Sequence, residues 1–121
     1  PDIEYIIHIR ESGACFNGYD SKICSKVYTS VTNPSKFGHP TEKPLPLLSK
    51  LISVGSNEND IILDPFLGSG STIIACQKLN RKAFGFEIKT EYCDIVKKRV
   101  RNVKKQMDLF MDFDVKNNEK R

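Results

Sequence analysis

The stretch that most constrains the fold is Asp64-Pro65-Phe66-Leu67-Gly68-Ser69-Gly70-Ser71-Thr72. It follows a short continuous apolar run, Ile61-Ile62-Leu63, and leads into a segment through Leu79 that contains neither Gly nor Pro. Such a run suits a strand buried on both faces, as in a parallel sheet. Ser69 or Ser71 can cap the helix that follows. Gly68 and Gly70 let the intervening backbone turn sharply and approach a ligand closely, because neither carries a Cβ. A strand that delivers into a helix through Gly-x-Gly is where open α/β sheets bind ligands.

The flanking sequence repeats the unit. Asn57–Asp60 reads as a polar turn before the first strand, and Asn80-Arg81-Lys82 turns the chain into a second buried strand, Ala83–Glu87. A helix from Thr90 to Met107 carries Tyr92, Val96, Val100, Val103 and Met107 on one face. Upstream, Thr41 is the expected N-cap of a helix with Pro44 in its first turn. Leu47, Leu48, Leu51 and Ile52 fall at helical spacing there, and Gly55 is the expected stop. Ile3–Arg10 reads as another strand, and Lys26–Val31 as a short extended piece within an irregular stretch broken by Gly13, Gly18, Asn33-Pro34 and Gly38. The tail 108–121 mixes apolar residues with a polar end, and its last residues are expected to be disordered. Strand and helix alternating from Ile61 to Met107 define an α/β doubly wound sheet.

Composition narrows the function classes. The chain has 121 residues, 39% of them hydrophobic and 28% charged, which suits one packed core rather than a disordered chain. No apolar run approaches the ~20 residues that span a bilayer, and Pro1-Asp2-Ile3-Glu4 lacks the regions of a signal peptide. A net charge of +4 is too mild to mark a nucleic-acid binder by itself. Cys15, Cys24, Cys76 and Cys93 form no C-x-x-C pair, and His8 and His39 complete no zinc spacing, so no metal is expected. Cysteines so placed read as reduced, in a cytoplasmic chain. A start at Pro1 without Met fits a piece of something longer.

The loop also has a chemical bias. Glu87, ending the second strand, can accept two hydrogen bonds from a ribose diol. Ile73 stands where a dinucleotide fingerprint wants its third small residue, and no Lys follows Gly70 as a P-loop requires. Asp64 would repel a pyrophosphate but attract an ammonium group. S-adenosylmethionine unites an amino-acid end with a ribose. Gly-x-Gly alone fits an ordinary strand–turn–helix equally well.

Three segments carry a resemblance that favours the cofactor. Gly38-His39-Pro40-Thr41-Glu42-Lys43-Pro44, the Asp64–Thr72 loop, and Gly85-Phe86-Glu87-Ile88 followed by Glu91-Tyr92 resemble the motifs of S-adenosylmethionine-dependent DNA amino-methyltransferases. The order of these segments is similar to the permuted β-type arrangement, with the catalytic half N-terminal to the cofactor half. The resemblance runs from Gly38 to about Val103. It implies a Rossmann-like fold of the methyltransferase type, incomplete in this chain, with residues 38–107 as the cofactor-binding half. It further implies that Asp64 holds the methionyl ammonium and that Thr41 and Lys43 reach the carboxylate. Phe66, Gly68, Gly70, Ser71 and Thr72 would line the cofactor loop, and Glu87 would take the ribose hydroxyls. Residues 1–37 would supply a strand and, from Ser12 to Phe37, either a short target-recognition segment or simply a loop.

One element of that family is missing. Its catalytic motif, Asp/Asn/Ser-Pro-Pro-aromatic, orients a flipped base's amino group, and no Pro-Pro pair occurs in this chain. Asn33-Pro34-Ser35-Lys36-Phe37 lacks both the second proline and the adjacent aromatic. The implied whole is an enzyme methylating adenine or cytosine in double-stranded DNA, with this chain inactive alone. The catalytic portion would lie upstream or on a complementing chain. Without it, the Ile61–Leu63 strand keeps an unpaired edge open to self-association. The other reading is a non-catalytic or degenerate binding module that needs a partner. Lys97, Lys98, Arg99, Arg101, Lys104 and Lys105 read as a solvated helix face or as phosphate contacts.

Overall fold

The computed structural model describes residues 6, 7, 9, 11–17 and 42–118. The elements are α1 (Leu45–Gly55), β1 (Ile61–Asp64), α2 (Ser71–Lys78), β2 (Lys82–Gly85) and α3 (Thr90–Asn118). β1 and β2 pair in parallel, with Ile61 opposite Lys82, Leu63 opposite Phe84 and Asp64 opposite Gly85. The unit β1–α2–β2 is therefore a parallel crossover, the building block that the alternating pattern predicts.

The core lies between the sheet and its helices. Ile52 of α1 meets Ala75 and Cys76 of α2, and Leu45, Leu48, Ile62, Leu79 and Ala83 pack around them. Ile62 and Ala83 are register partners and so share this face. The opposite face carries Ile61, Leu63 and Phe84, each more than 60% exposed. The expectation that both strands are buried on both faces is thus corrected. Among the described residues the core-forming helices cover one face only, and the strands alternate accordingly.

Helix boundaries show local chemistry at work. α1 begins later than a cap at Thr41 predicts, because Pro44 is its N-cap, in extended conformation, without a side-chain cap bond. With Pro44 at ψ 127°, the first helical residue is Leu45. The helix does end at Gly55, and its last carbonyls are satisfied from elsewhere. Asn17 Nδ2 donates to the Ser53 and Ser56 carbonyls at 3.0 and 2.9 Å. Arg81 Nη2 donates to the Ser56 carbonyl at 2.8 Å. The predicted polar turns hold, with Asn59 and Asn80 both in the left-handed region that asparagine tolerates.

α3 continues past Met107 to Asn118, into the segment read as a tail. No Gly or Pro interrupts it there to stop propagation. Ile6, Ile7 and Ile9 are exposed and form no strand, since the described sheet offers them no partner. The remainder of the Ile3–Arg10 reading, the Lys26–Val31 piece, most of Ser12–Phe37, the Asn33–Phe37 segment and Thr41 lie outside the described residues. No described helix is long and apolar enough to cross a membrane. The described residues contain no cluster of potential metal ligands.

Candidate functional site

The site forms where β1 and β2 end side by side. Asp64 closes β1, and its Oδ1 accepts the Phe66 N–H at 3.0 Å, which bends the chain away from the sheet. The loop is then stitched to the exit of β2. Phe86 N–H donates to the Asp64 carbonyl at 3.0 Å, and Leu67 N–H donates to the Phe86 carbonyl at 2.9 Å. Glu87 completes the bracing, with Oε2 accepting the Gly68 N–H and Oε1 accepting the Lys89 N–H, both at 2.8 Å.

Both loop glycines adopt positive φ, 55° at Gly68 and 84° at Gly70. Gly70 is also the N-cap of α2 and is pressed against α3, where a Cβ would come within 2.7 Å of Val96 Cγ2. Any side chain there meets both backbone strain and a packed neighbour. The expectation that Ser69 or Ser71 caps α2 is corrected, since no side chain caps this helix. Ser71 Oγ donates to Glu42 Oε1 at 3.1 Å, and Ser69 Oγ accepts from Arg99 Nη1 at 3.0 Å. Both hydroxyls are buried and committed elsewhere.

Arg99 is the residue that sequence reasoning misplaced. Its side chain is 7% exposed, and it pairs with Glu42 Oε1 at 2.8 Å while donating to the Ser69 carbonyl at 2.8 Å. It belongs to neither a solvated face nor a phosphate-contacting one. The available signal was position, because Arg99 lies three residues after Val96 and beside Val100 on the inward stripe. Lys97, Lys98, Arg101, Lys104 and Lys105 are exposed, with Lys97 paired to Asp94 at 3.2 Å.

A cleft of about 180 Å³ opens beside this loop, lined by Glu42, Lys43, Leu48, Asp64, Phe66, Leu67, Ser69, Ser71 and Thr72. Of the residues singled out from the sequence, it gathers Lys43, Asp64, Phe66, Ser71 and Thr72. Gly68, Gly70 and Glu87 do not line it but hold the loop that does. Glu42, Leu48, Leu67 and Ser69 are additions that the sequence did not single out. The cleft brings the acidic Asp64 and the basic Lys43 together with Ser71 and Thr72 of the first turn of α2, where N–H groups lack intrahelical acceptors. Phe66 offers an apolar surface at the rim and is 89% exposed. Such a site suits a zwitterion joined to an aromatic or sugar group.

Comparison with known proteins agrees. A family model of DNA methylases, the N6/N4 methyltransferase group, matches residues 10–98. Type II methyltransferase M.HpaI of Haemophilus parainfluenzae is 44% identical over 68 residues, which is 56% of this chain and 22% of the relative. Orphan methyltransferase M.BamHII of Bacillus amyloliquefaciens is 39% identical over 94 residues, 78% of this chain and 35% of the relative. The chain thus matches about a fifth to a third of these relatives' length. The crystal structure of an M1.HpyAVI–SAM complex superposes with a TM-score of 0.57 at 38% identity, covering 72% of this chain and 44% of that one. With most of its length matched by the family model and its fold shared with a solved methyltransferase, the chain belongs to the N6/N4 DNA methylase family.

Proposed function

We propose that this chain supplies the S-adenosylmethionine-binding half of a DNA amino-methyltransferase of the permuted β type. The observation that carries the reading is the juxtaposition of Asp64 and Lys43 in one cleft beside the N-terminus of α2. Asp64 accepts the methionyl ammonium, and Lys43, with Thr41, receives the carboxylate, while Thr72 lines the loop beside Ser71, whose hydroxyl is held by Glu42. Glu87 takes the ribose hydroxyls, and Phe66 shields the cofactor's apolar side. The solved relative described as a SAM complex supports the choice of ligand.

The bound cofactor would supply an electrophilic sulfonium methyl for attack by the exocyclic amine of adenine or cytosine in double-stranded DNA. The contribution of this chain is orientation, with the glycine loop and its carboxylates holding the cofactor at the end of the sheet. The Pro-Pro-aromatic motif that would receive the base is absent from these 121 residues. We assign it to polypeptide outside them, upstream or on a second chain, in a cytoplasmic enzyme. A non-catalytic module completed by a partner is the second reading, favoured by the bare sheet face at Ile61, Leu63 and Phe84.

Calorimetric titration with S-adenosylmethionine tests the assignment. Saturable binding by the wild type that Asp64→Ala abolishes is the expected result. Absence of heat with the wild type, or equal binding by Asp64→Ala, overturns it. Methyl transfer to DNA by this chain alone would refute the external location of the catalytic motif.

A further inference from the structure

One carboxylate oxygen ties together three parts of the site that are remote in sequence. Glu42 Oε1 takes Arg99 Nη1 of α3 at 2.8 Å and Ser71 Oγ of α2 at 3.1 Å. Arg99 Nη1 also reaches the carbonyl and hydroxyl of Ser69 in the glycine loop, at 2.8 and 3.0 Å. Glu42 directly precedes Lys43, and Pro44 follows with its φ fixed at −60°. The Lys43 backbone is therefore held on both sides, by a largely buried ion pair before it and by the helix entry after it. A lysine side chain is a long flexible stem with a point charge, and it binds an anion well only when its base is fixed.

We propose that Arg99 is a positioning residue that acts through Glu42 to set where Lys43 presents its ammonium at the N-terminus of α2. It thereby governs affinity for the carboxylate end of the cofactor. This inference rests on the cofactor reading above. A buried ion pair is a poor source of net stability, because desolvation offsets its attraction. Fixing geometry is the role such a pair serves well. A guanidinium suits it, since its planar fork can hold Glu42 and Ser69 together.

The test compares two ligands. S-adenosylmethionine carries the carboxylate, whereas 5′-methylthioadenosine has the same nucleoside and S-methyl group, with a neutral thioether in place of the sulfonium, and lacks the amino-acid end. Calorimetry on Arg99→Met is expected to show S-adenosylmethionine binding weakened about tenfold, the loss of roughly one charged hydrogen bond. Methylthioadenosine binding stays unchanged. Lys43→Met shows the same selective loss, the double variant binds no more weakly than Lys43→Met alone, and Arg99→Lys recovers part of the affinity. Equal weakening for both ligands marks a merely structural brace and overturns the proposal, as do additive losses in the double variant.

A ligand-free measurement separates this inference from the cofactor reading. Amide exchange by NMR should be faster in Arg99→Met at Leu48 and Gly70, whose N–H groups bond the Pro44 and Leu67 carbonyls. The interior amides of α2 keep their protection. If the wild type takes up neither ligand, the cofactor reading fails, and the exchange rates alone decide the positioning role. Unchanged exchange at both amides overturns it. Should circular dichroism show Arg99→Met unfolded, Glu42→Gln takes its place under the same criteria.

Discussion

Arg99 Nη1 lies 2.8 Å from Glu42 Oε1, joining the middle of α3 to the residue that precedes Lys43. Both side chains are largely withdrawn from water, 7% and 16% exposed. Removing either partner alone leaves an uncompensated charge, so Glu42→Ala is expected to cost about 3–5 kcal/mol of stability. Adding Arg99→Met to Glu42→Ala returns part of that loss, because the orphaned cation is gone. Urea denaturation of the single and double variants provides the measurement, and strictly additive losses would contradict the account.

Gly70→Ala combines two penalties. The residue sits at φ 84°, and the new methyl would stand 2.7 Å from Val96 Cγ2. A destabilisation of about 1–3 kcal/mol is expected from backbone strain, with the clash adding to it. Adding Val96→Ala removes the clash but not the strain, so thermal melts should show partial recovery at most.

Glu87→Gln tests the bracing of the loop. The substitution replaces a charged acceptor of the Gly68 and Lys89 N–H groups by a neutral amide that can serve only one of them well. Stability should fall by about 1–3 kcal/mol. Under the proposed function, S-adenosylmethionine affinity falls as well, because the ribose diol loses a charged acceptor with two oxygens to a neutral amide with one. Equal affinity in wild type and variant would remove Glu87 from the binding set.

Cys76 is fully buried, and this desolvation raises its thiol above its ordinary value of 9.0, with Arg81 opposing the rise and Asp64 adding to it. The folded state then keeps a proton that the unfolded state gives up. The contribution to stability is full below pH 9.0 and is lost as pH rises from there through the folded-state pKa. Urea midpoints measured on the alkaline side should therefore decline, and Cys76→Ala should flatten that decline. The thiol should also resist alkylation in the folded chain, since the reactive thiolate is suppressed.

Much of this architecture is legible residue by residue. Ile61-Ile62-Leu63 and Ala83-Phe84 announce strands, Gly68 and Gly70 announce the turn, and Val96 and Val100 announce the buried side of α3. Asp64, Lys43, Phe66, Ser71 and Thr72 meet in one cleft as their motifs suggest. What escaped reading depends on distant partners. A charge in a basic run argues for exposure, and only folding brings Glu42 to Arg99. Ser69 and Ser71 have the composition of caps, yet Arg99 and Glu42 claim their hydroxyls first. Likewise, an apolar strand does not state how many of its faces find cover.

The pairing of Asp64 with Gly85 makes the sheet a ruler. It fixes the end of β1 against β2 two residues before Glu87, so the spacing between the two acidic positions is written in backbone hydrogen bonds. Neither side chain chooses that interval. A ligand that must touch both is measured by the ladder, and a slip of one residue would turn the residues of one strand to the opposite face. Under the proposed function, the interval that a ligand touching both must span is therefore set by strand pairing, and substitutions that leave the register intact leave that interval unchanged.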